Sequence, residues 1–568
     1  MSISSQTGKL IDKLTDGKLK GQDRLFPTTA IVGWLWRAMR GNRRQATLNA
    51  LIGVGDVATS LASVWAVQHA IDVASHTIEG SIVWSVVLMG SFVLCAFGLS
   101  ISSIWVRNLL GIRAQNRMQQ QILDRLLRSQ WQGKQQRHSG DVLNRLEGDV
   151  STVVSFLTET IPDTLSQVLL FCGAFFYLLQ MDWRLSLIIV LAIPFFVLFS
   201  KIYMKRMRRL SREVRQSDSI VQSVLQETIQ HQTLIKTLED TENAVGRLEK
   251  EQQKLRKNVI RRTKFTIFSS FSLNFGFSLC YLLAFGWAAV RLSLGTLTFG
   301  GMTAFLQLVS RIQSPARQLT HLVPAFVGVL TAAERLMELE ESPMEEQGTP
   351  IPFSVPCGIK LSSVHYHYAD GEGKVLENLS FDFRPGSCTA ILGPTGAGKT
   401  TLVRLLLALI QPTEGSIVLY DDHHECTLSP RTRCNLTYVP QGNTLLSGSI
   451  RDNLRLGKLN ATDEEMKEAL HKACADFVFD LPEGLSTACT EQGGGLSEGQ
   501  AQRIAIARAL LRDRSIMLFD EATSALDPAT ERQLLANVLR DSGKTVIFVT
   551  HRMAVTDYCD QTLTIGKL

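Results

Sequence analysis

Length and composition exclude several classes of protein before any motif is considered. The 568 residues exceed what one hydrophobic core organises, so at least two domains are expected. With 45% hydrophobic residues, the chain suits a protein that is half membrane-embedded and half soluble. The net charge of +6 comes from basic residues beside apolar segments and not from an aromatic-interleaved basic stripe, so no nucleic-acid partner is expected. Ten cysteines without a CxxC pair argue against zinc and against a disulfide framework.

Six apolar stretches follow a polar lead-in at residues 1–44, which we expect to be cytoplasmic or interfacial. Each stretch approaches the roughly twenty residues with which a helix crosses the hydrocarbon core. One such stretch would also fit a buried core helix, but six in series favour membrane spans. We therefore predict a six-helix transmembrane domain over residues 45–335, with spans at 48–70, 80–106, 165–181, 185–200, 265–290 and 301–330.

Two connections between these spans are long, basic and free of proline, namely residues 107–145 and 201–264. Their composition predicts membrane helices that continue into the cytoplasm, turn and return, although a solvated charged hairpin would have the same signature. The connections on the other side are short and nearly free of basic residues. By the positive-inside rule we expect a multi-pass protein of the cell (inner) membrane, in contact with membrane lipid, with both termini in the cytoplasm.

Arg311 is a charge inside the sixth predicted span, about ten residues or roughly 15 Å from its start. An ionisable residue at that depth is a candidate functional residue. With Arg317 and His321, it would offer positive potential to an anionic or zwitterionic cargo. Alternatively, Arg311 pairs with Asp56 or lines a wet inward-facing cavity.

After a linker at residues 336–357, short β-rich runs alternate with helical stretches, which predicts an α/β P-loop ATPase domain over residues 358–568. An apolar strand at 389–392, a glycine-rich loop at 393–400 and an apolar helix at 402–410 follow one another there. This is the context of a Walker A loop, in which backbone N–H groups and a helix N-terminus hold phosphate. Lys399 would reach the terminal phosphates and Thr400 would bind Mg²⁺. The predicted nucleotide-binding residues of this segment are Gly393, Pro394, Thr395, Gly396, Ala397, Gly398, Lys399, Thr400 and Thr401.

A second apolar strand, residues 516–519, ends in Asp520 and Glu521. An acid at the end of a buried parallel strand beside the phosphate loop holds Mg²⁺, and the next acid polarises the attacking water. The same pair would also suit an ordinary helix N-cap. Combined with the Walker A loop, the pair predicts an ATPase that uses ATP and Mg²⁺, with Asp520 as a metal ligand and Glu521 as a catalytic residue.

The segment Leu496-Ser497-Glu498-Gly499-Gln500 carries a specific resemblance. It is similar to the LSGGQ signature of ATP-binding-cassette (ABC) exporters, and the chain resembles a half-transporter of that family over essentially its whole length. The family's other motifs are matched by Tyr368 (adenine stacking), Gln441 (Q-loop, catalytic and Mg²⁺-binding), Glu491 (before the signature), residues 524–527 (D-loop), His551 (switch histidine) and residues 139–146 (before the first coupling region).

Each accessory match has an ordinary alternative. Tyr368 would also suit a plain strand aromatic, Gln441 a turn residue and His551 a capping histidine. Their joint order along the chain favours the functional interpretation.

The resemblance implies that two ATP molecules are sandwiched between two chains, each held by the Walker A loop of one and by Ser497, Gly499 and Gln500 of the other. A second half-transporter is therefore the expected partner, with a homodimer favoured. Glu498 replaces the family's usual glycine and Ala501 stands where a basic residue is common, so a heterodimer is the second possibility.

The function implied is ATP-driven export of an amphipathic, lipid-like, peptide or drug-like substrate from the cytoplasm by alternating access. A membrane regulator or gated pore that uses the same ATPase without net pumping is the alternative.

Overall fold

The computed structural model describes residues 26–131, 139–354, 356–368, 374–489, 495–540 and 543–566. Two compact units divide the chain. The first consists of Met1–Leu123 and Gly140–Glu340, and the second consists of Asp124–Ser139 and Glu341–Leu568. The second unit therefore includes a short segment of the N-terminal half.

The first unit is built of helices, one of which runs on into the second unit. In chain order they are α1 (Thr28–Ala38), α2 (Arg43–Ala74), α3 (Ile82–Leu127), α4 (Gly140–Met181), α5 (Trp183–Gln230), α6 (Gln232–Thr237), α7 (Thr241–Ser293) and α8 (Phe299–Glu340).

Among the described residues, α2, α3, α4 and α7 are long and apolar enough to cross a membrane. The two other predicted spans lie within α5 and α8, which have 48 and 42 residues. The helical fold class predicted for the N-terminal half is confirmed.

Side-chain exposure on these helices is the reverse of that in a soluble protein. On α3, Trp84, Leu94 and Trp105 are 73–75% exposed. A continuous exposed surface of large apolar residues marks contact with lipid or with another protein. The inner face instead uses small residues, and Ala174, Ala284 and Ala288 lie in a core with α2 and α8. Small residues allow membrane helices to approach closely.

The long basic connections are helical over most of their described residues, as predicted. The helices α5 and α7 have 48 and 53 residues, so at 1.5 Å per residue they are about 72 and 80 Å long. This is more than twice the roughly 30 Å of the hydrocarbon core. Asn258 of α7 donates a hydrogen bond to Ser217 of α5 at 2.7 Å in the polar part of the pair.

Two π-helical segments interrupt α4, at Arg145–Asp149 and Phe156–Thr160, and the sequence did not predict them. The first carries the buried Arg145, whose Nη1 donates to Glu338 Oε2 of α8 at 2.7 Å. Arg335 of α8 reaches back to Asp141 at 2.9 Å. Charge pairs thus join the start of α4 to the end of α8.

The second unit is an α/β domain, and this also agrees with the prediction. Its strands are β1 (Gly358–His367), β2 (Lys374–Phe383), β3 (Cys388–Leu392), β4 (Glu414–Tyr420), β5 (Glu425–Thr427), β6 (Leu436–Val439), β7 (Gly448–Ser449), β8 (Ala488–Cys489), β9 (Ile516–Asp520), β10 (Thr545–Val549) and β11 (Gln561–Thr564). Its helices are α9 (Lys399–Leu406), α10 (Ile450–Arg455), α11 (Asp463–Lys472), α12 (Phe477–Asp480), α13 (Glu498–Arg512) and α14 (Pro528–Arg540).

Strand order explains where a site forms. The main sheet has the order β11-β3-β10-β9-β6 with parallel neighbours, and a separate antiparallel sheet has the order β2-β1-β4-β5. Because the strands are parallel, the carboxyl ends of β3, β9 and β10 meet at one edge, which is where ligands bind in open α/β sheets.

Replacing Phe519 by alanine tests the core beneath that edge. Phe519 of β9 is 1% exposed and stacks on Phe548 of β10 with ring centroids 4.9 Å apart. We expect Phe519→Ala to destabilise the ATPase unit by about 3–5 kcal/mol, because it leaves a cavity. Calorimetry of the purified chain checks this, with Leu459→Ala as a control that removes a side chain 78% exposed. Equal melting temperatures for the two variants would contradict the assignment of Phe519 to the core.

Candidate active site

The Walker A loop runs from the end of β3 to the start of α9. Gly393, Gly396 and Gly398 have φ angles of +156°, +84° and +98°, which glycine adopts without strain. At Gly398 a Cβ would also lie 3.1 Å from the carbonyl oxygen of Val375. Because α9 begins directly after Gly398, its first N–H groups are available to an anion at the loop.

Lys399 is the first residue of α9, and its side chain turns back over this loop. Its Nζ donates to the carbonyl oxygen of Gly393 at 2.7 Å, so the amine points along the inside of the turn. Thr400 and Thr401 follow in the first turn of α9. The structure therefore brings together the residues from Gly393 to Thr401 that the sequence indicated, with Pro394, Thr395 and Ala397 forming the loop between the glycines.

Asp520 is the last residue of β9 and is 8% exposed. The hydroxyl of Tyr438, on the neighbouring β6, donates to its Oδ2 at 3.1 Å. Burial raises the pKa of the Asp520 carboxyl, while the Tyr438 hydrogen bond and the charge of Lys399 oppose this rise. A buried carboxylate beside a phosphate loop suits a divalent cation.

The donor set fits magnesium bound together with a nucleotide. No cluster of three His, Cys, Asp or Glu side chains capable of holding a metal occurs in the described part of the chain. Mg²⁺ commonly uses one or two protein oxygens together with phosphate oxygens and water, so such a cluster is not required.

Glu521, Gln441 and His551 come together beside Asp520. Gln441 Nε2 donates to Glu521 Oε2 at 2.7 Å, and His551 Nδ1 lies 3.7 Å from Glu521 Oε1. Glu521 has a φ of +48°, which is unusual for a residue with a side chain. Its N–H donates to the carbonyl oxygen of Val549 at 2.9 Å, and this bond fixes the turn after β9. Strain of this kind concentrates at functional sites.

The signature segment begins α13. Ser497 is its N-cap: Ser497 Oγ accepts from the N–H of Gln500 at 3.2 Å, and Gln500 Oε1 accepts from the N–H of Ser497 at 2.9 Å. A Cβ on Gly499 would lie 2.8 Å from the carbonyl oxygen of Ala525, so the helix start packs against the D-loop. No hydrogen bond of the described residues joins residues 497–500 to residues 393–401.

Tyr368 lies beside the Walker A helix, at the end of β1. It is 9% exposed, and its hydroxyl is 3.1 Å from Thr401 Oγ1. Arg404 Nη1 of α9 donates to the same hydroxyl at 3.0 Å. The tyrosine therefore lies next to the Walker A helix with its hydroxyl held by α9, and its stacking on adenine stays a prediction.

Two protein-family models match this chain, one in its N-terminal half and one in its C-terminal half. Residues 47–315 match the family model described as ABC transporter transmembrane region, and residues 376–524 match the model described as ABC transporter. The ATP-dependent lipid A-core flippase of Bordetella avium (strain 197N) is 31% identical over 500 residues, which are 85% of this chain and 83% of that protein. The chain belongs to the ABC transporter family.

Two further comparisons describe the likeness. A multidrug resistance ABC transporter ATP-binding and permease protein of Lactococcus lactis subsp. cremoris (strain MG1363) is 28% identical over 514 residues, 88% of this chain and 85% of that protein. A solved bacterial Atm1-family ABC exporter with ATP bound has a TM-score of 0.76, covers 92% of this chain and 93% of its own, and is 23% identical. The latter supports the fold.

The predicted family is therefore confirmed, and with it an ATPase domain that binds nucleotide and drives transport through a membrane domain of the same chain. The two departures of this ABC transporter from the usual signature, Glu498 and Ala501, lie in different surroundings. Glu498 is exposed in the first turn of α13, whereas Ala501 is fully buried in the core of the unit, where a basic side chain would not fit.

One residue of the site, Arg552, was not predicted from the sequence, and three predicted residues are not fully covered by the described structure. Glu491 lies outside the described residues, as do the side chains of Arg317 and His321. Arg552 was not predicted: its Nη2 donates to the carbonyl oxygen of Ser524 at 2.7 Å and its Nη1 to Glu531 Oε2 at 2.8 Å. It thereby fixes the D-loop, and the only sequence signal was its place directly after His551.

Proposed function

We propose that two copies of this ABC transporter form an exporter that moves an amphipathic, lipid-like or drug-like molecule out of the cytoplasm. The observation that carries the proposal is the meeting of Lys399, Asp520, Gln441, Glu521 and His551 at one edge of a parallel sheet, in a chain whose first half is a membrane domain. Relatives named a lipid A-core flippase and a multidrug resistance transporter support the lipid-like and drug-like substrate classes.

In this proposal each residue at the site has one task. The Walker A backbone and Lys399 bind the β- and γ-phosphates of ATP, and Thr401 lies toward the remaining phosphate. Thr400, Asp520 and Gln441 would hold Mg²⁺, which would supply positive charge to neutralise the phosphates. Glu521 accepts a proton from the attacking water, and His551 stabilises the reacting phosphate.

The second copy supplies Ser497, Gly499 and Gln500. Two points support this: the signature segment begins α13, and helix N-termini in general favour anions, while no hydrogen bond of the described residues ties this segment to its own Walker A loop. Closure of two ATPase domains on ATP would then be transmitted to the membrane helices, and hydrolysis would reverse it. A homodimer is the proposed assembly, placed in the inner membrane with both termini cytoplasmic.

Transport in liposomes tests the function directly. The purified chain in lipid vesicles is expected to flip a fluorescent lipid or accumulate an anionic or zwitterionic dye only with ATP and Mg²⁺, and Lys399→Ala should abolish both transport and ATP hydrolysis. Arg311→Ala is expected to change the substrates that stimulate hydrolysis, if Arg311 faces an anionic or zwitterionic cargo. A nucleotide-dependent leak without accumulation would contradict the exporter and favour a gated pore.

Differently tagged copies test the assembly. Expressed together, the two forms are expected to co-purify from detergent in an active complex. Activity that requires an unrelated second chain would replace the homodimer by a heterodimer.

Glu498 offers a graded test of the same interface. Glu498→Gln keeps the size of this exposed side chain but removes a negative charge that would face the partner's triphosphate. We expect KM for ATP to fall about two- to fivefold, because like-charge repulsion is lost. Steady-state hydrolysis checks this, with Glu464→Gln, an exposed acid in the first turn of α11, as the control. An unchanged KM would place the carboxylate away from nucleotide.

A further inference from the structure

The turn after α3 is part of the ATPase unit. Gln130 donates its N–H to the carbonyl oxygen of Pro343 at 2.8 Å, and Glu345 donates its N–H to that of Arg128 at 2.9 Å. Ser129 and Met344 form an antiparallel bridge between these bonds. Main-chain hydrogen bonds therefore fix the residue that follows, Trp131.

Trp131 lies against Arg404 of the Walker A helix. The Arg404 Cζ is 4.1 Å from the centroid of the indole ring, which is a close cation–π contact. Tryptophan gives the strongest such contact among the aromatic residues, and a planar guanidinium stacks on it well. The indole thus restricts the orientation of the guanidinium.

The other side of Arg404 faces the nucleotide site. Its Nη1 donates to the Tyr368 hydroxyl at 3.0 Å, and that hydroxyl is 3.1 Å from Thr401 Oγ1. One guanidinium therefore joins the turn after α3, the helix α9 and the aromatic residue at the end of β1. A charged donor makes the stronger kind of hydrogen bond, and Tyr368 is 9% exposed, so this contact is shielded from water.

We propose that Arg404 is a positioning residue for the base of the nucleotide: held by Trp131, it fixes Tyr368 beside Thr401 in the place where adenine stacks. ATP affinity then depends on the turn that α3 carries into the ATPase unit. This rests on the proposed function, in which Tyr368 receives adenine, and adds the residues that set its position.

Arg404→Ala is the principal test, with nucleotide binding and hydrolysis measured on the full chain. We expect the Kd and KM for MgATP to rise about five- to tenfold, with kcat changed less than about twofold. Without Arg404 the Tyr368 ring is no longer held in place, so part of the free energy of ATP binding is used to order it. Tripolyphosphate has no base, so its affinity, measured by displacement of a fluorescent nucleotide, should be the same in Arg404→Ala as in the unaltered chain.

Five matched variants separate positioning of Tyr368 from a damaged fold. Tyr368→Phe, which keeps the ring and removes the hydroxyl, should reproduce the loss of ATP affinity. Trp131→Ala should raise KM about two- to threefold and Trp131→Phe should restore it. Because Trp131 acts through Arg404, the double variant with both alanines should match Arg404→Ala alone. Arg451→Ala, which removes a guanidinium from α10 of the same unit, should change nothing.

Each contrary result has a defined meaning. Equal weakening of ATP and tripolyphosphate binding in Arg404→Ala would show damage to the phosphate loop and overturn the proposal. Tighter ATP binding would also overturn it, since Arg404 would then hold Tyr368 closed. Lys399→Ala should remove binding of both ligands; if it does not, the proposed nucleotide site fails, whatever Arg404 does.

Discussion

Replacing Glu521 by glutamine is expected to lower the rate of ATP hydrolysis at least about 100-fold while ATP binding persists. A positioned general base typically contributes 10²–10⁴-fold, and glutamine cannot accept the proton. Glutamine fits the same space and its amide oxygen still accepts from Gln441, which lies 2.7 Å from Glu521 Oε2. The arrangement of the site should therefore survive, and the loss should be chemical.

The variant should also accumulate a closed state. Because binding is retained and hydrolysis is not, ATP and Mg²⁺ are expected to hold two ATPase domains together, which crosslinking or particle images of the Glu521→Gln protein would detect. Glu468→Gln is a suitable control, since Glu468 is an exposed acid on α11 that forms an ion pair with Lys472. If hydrolysis remains above about a tenth of the normal rate, a group other than Glu521 accepts the proton of the attacking water.

The motifs that were predicted well are those whose chemistry is local. The Walker A loop needs glycines at fixed offsets between a strand and a helix, so Gly393, Gly396 and Gly398 could be found from sequence alone. The capping box of Ser497 and Gln500 was not predicted, but it spans only four residues and is equally local. In such segments the residue types determine backbone geometry directly.

The contacts that were missed join segments far apart in the chain. The hydrogen bond between Tyr438 and Asp520 depends on the parallel pairing of β6 with β9, which local sequence does not encode. The stacking of Trp131 on Arg404 requires the turn after α3 to join the ATPase unit. Periodicity locates elements but not their partners, so these residues had no individual signal.

Asp182 shows the same limit in the membrane half. It lies in the short connection between the predicted spans at 165–181 and 185–200, where α4 ends at Met181 and α5 begins at Trp183. In addition its Oδ2 accepts from Arg291 Nη2 at 2.9 Å and from Trp287 Nε1 at 3.1 Å, both on α7. The turn was predictable, and the tertiary role of its carboxylate was not.

Ser497→Asp should separate the two roles of the signature serine. Aspartate is as good an N-cap as serine, so the capping box of α13 should persist and the melting temperature should change by no more than about 2 °C. The new carboxylate would, however, face the γ-phosphate held by the other chain. We expect hydrolysis to fall at least about tenfold, because like charges repel strongly where water is displaced.

Two further substitutions at this position complete the comparison. Ser497→Thr keeps both a capping oxygen and neutrality, so it should remain active. Ser497→Ala removes the cap, at a cost of about 1 kcal/mol, but adds no charge, so it should lose stability more than Ser497→Asp does and activity less. A fully active Ser497→Asp protein would mean that the N-terminus of α13 never approaches a triphosphate, and that ATP is hydrolysed within a single chain.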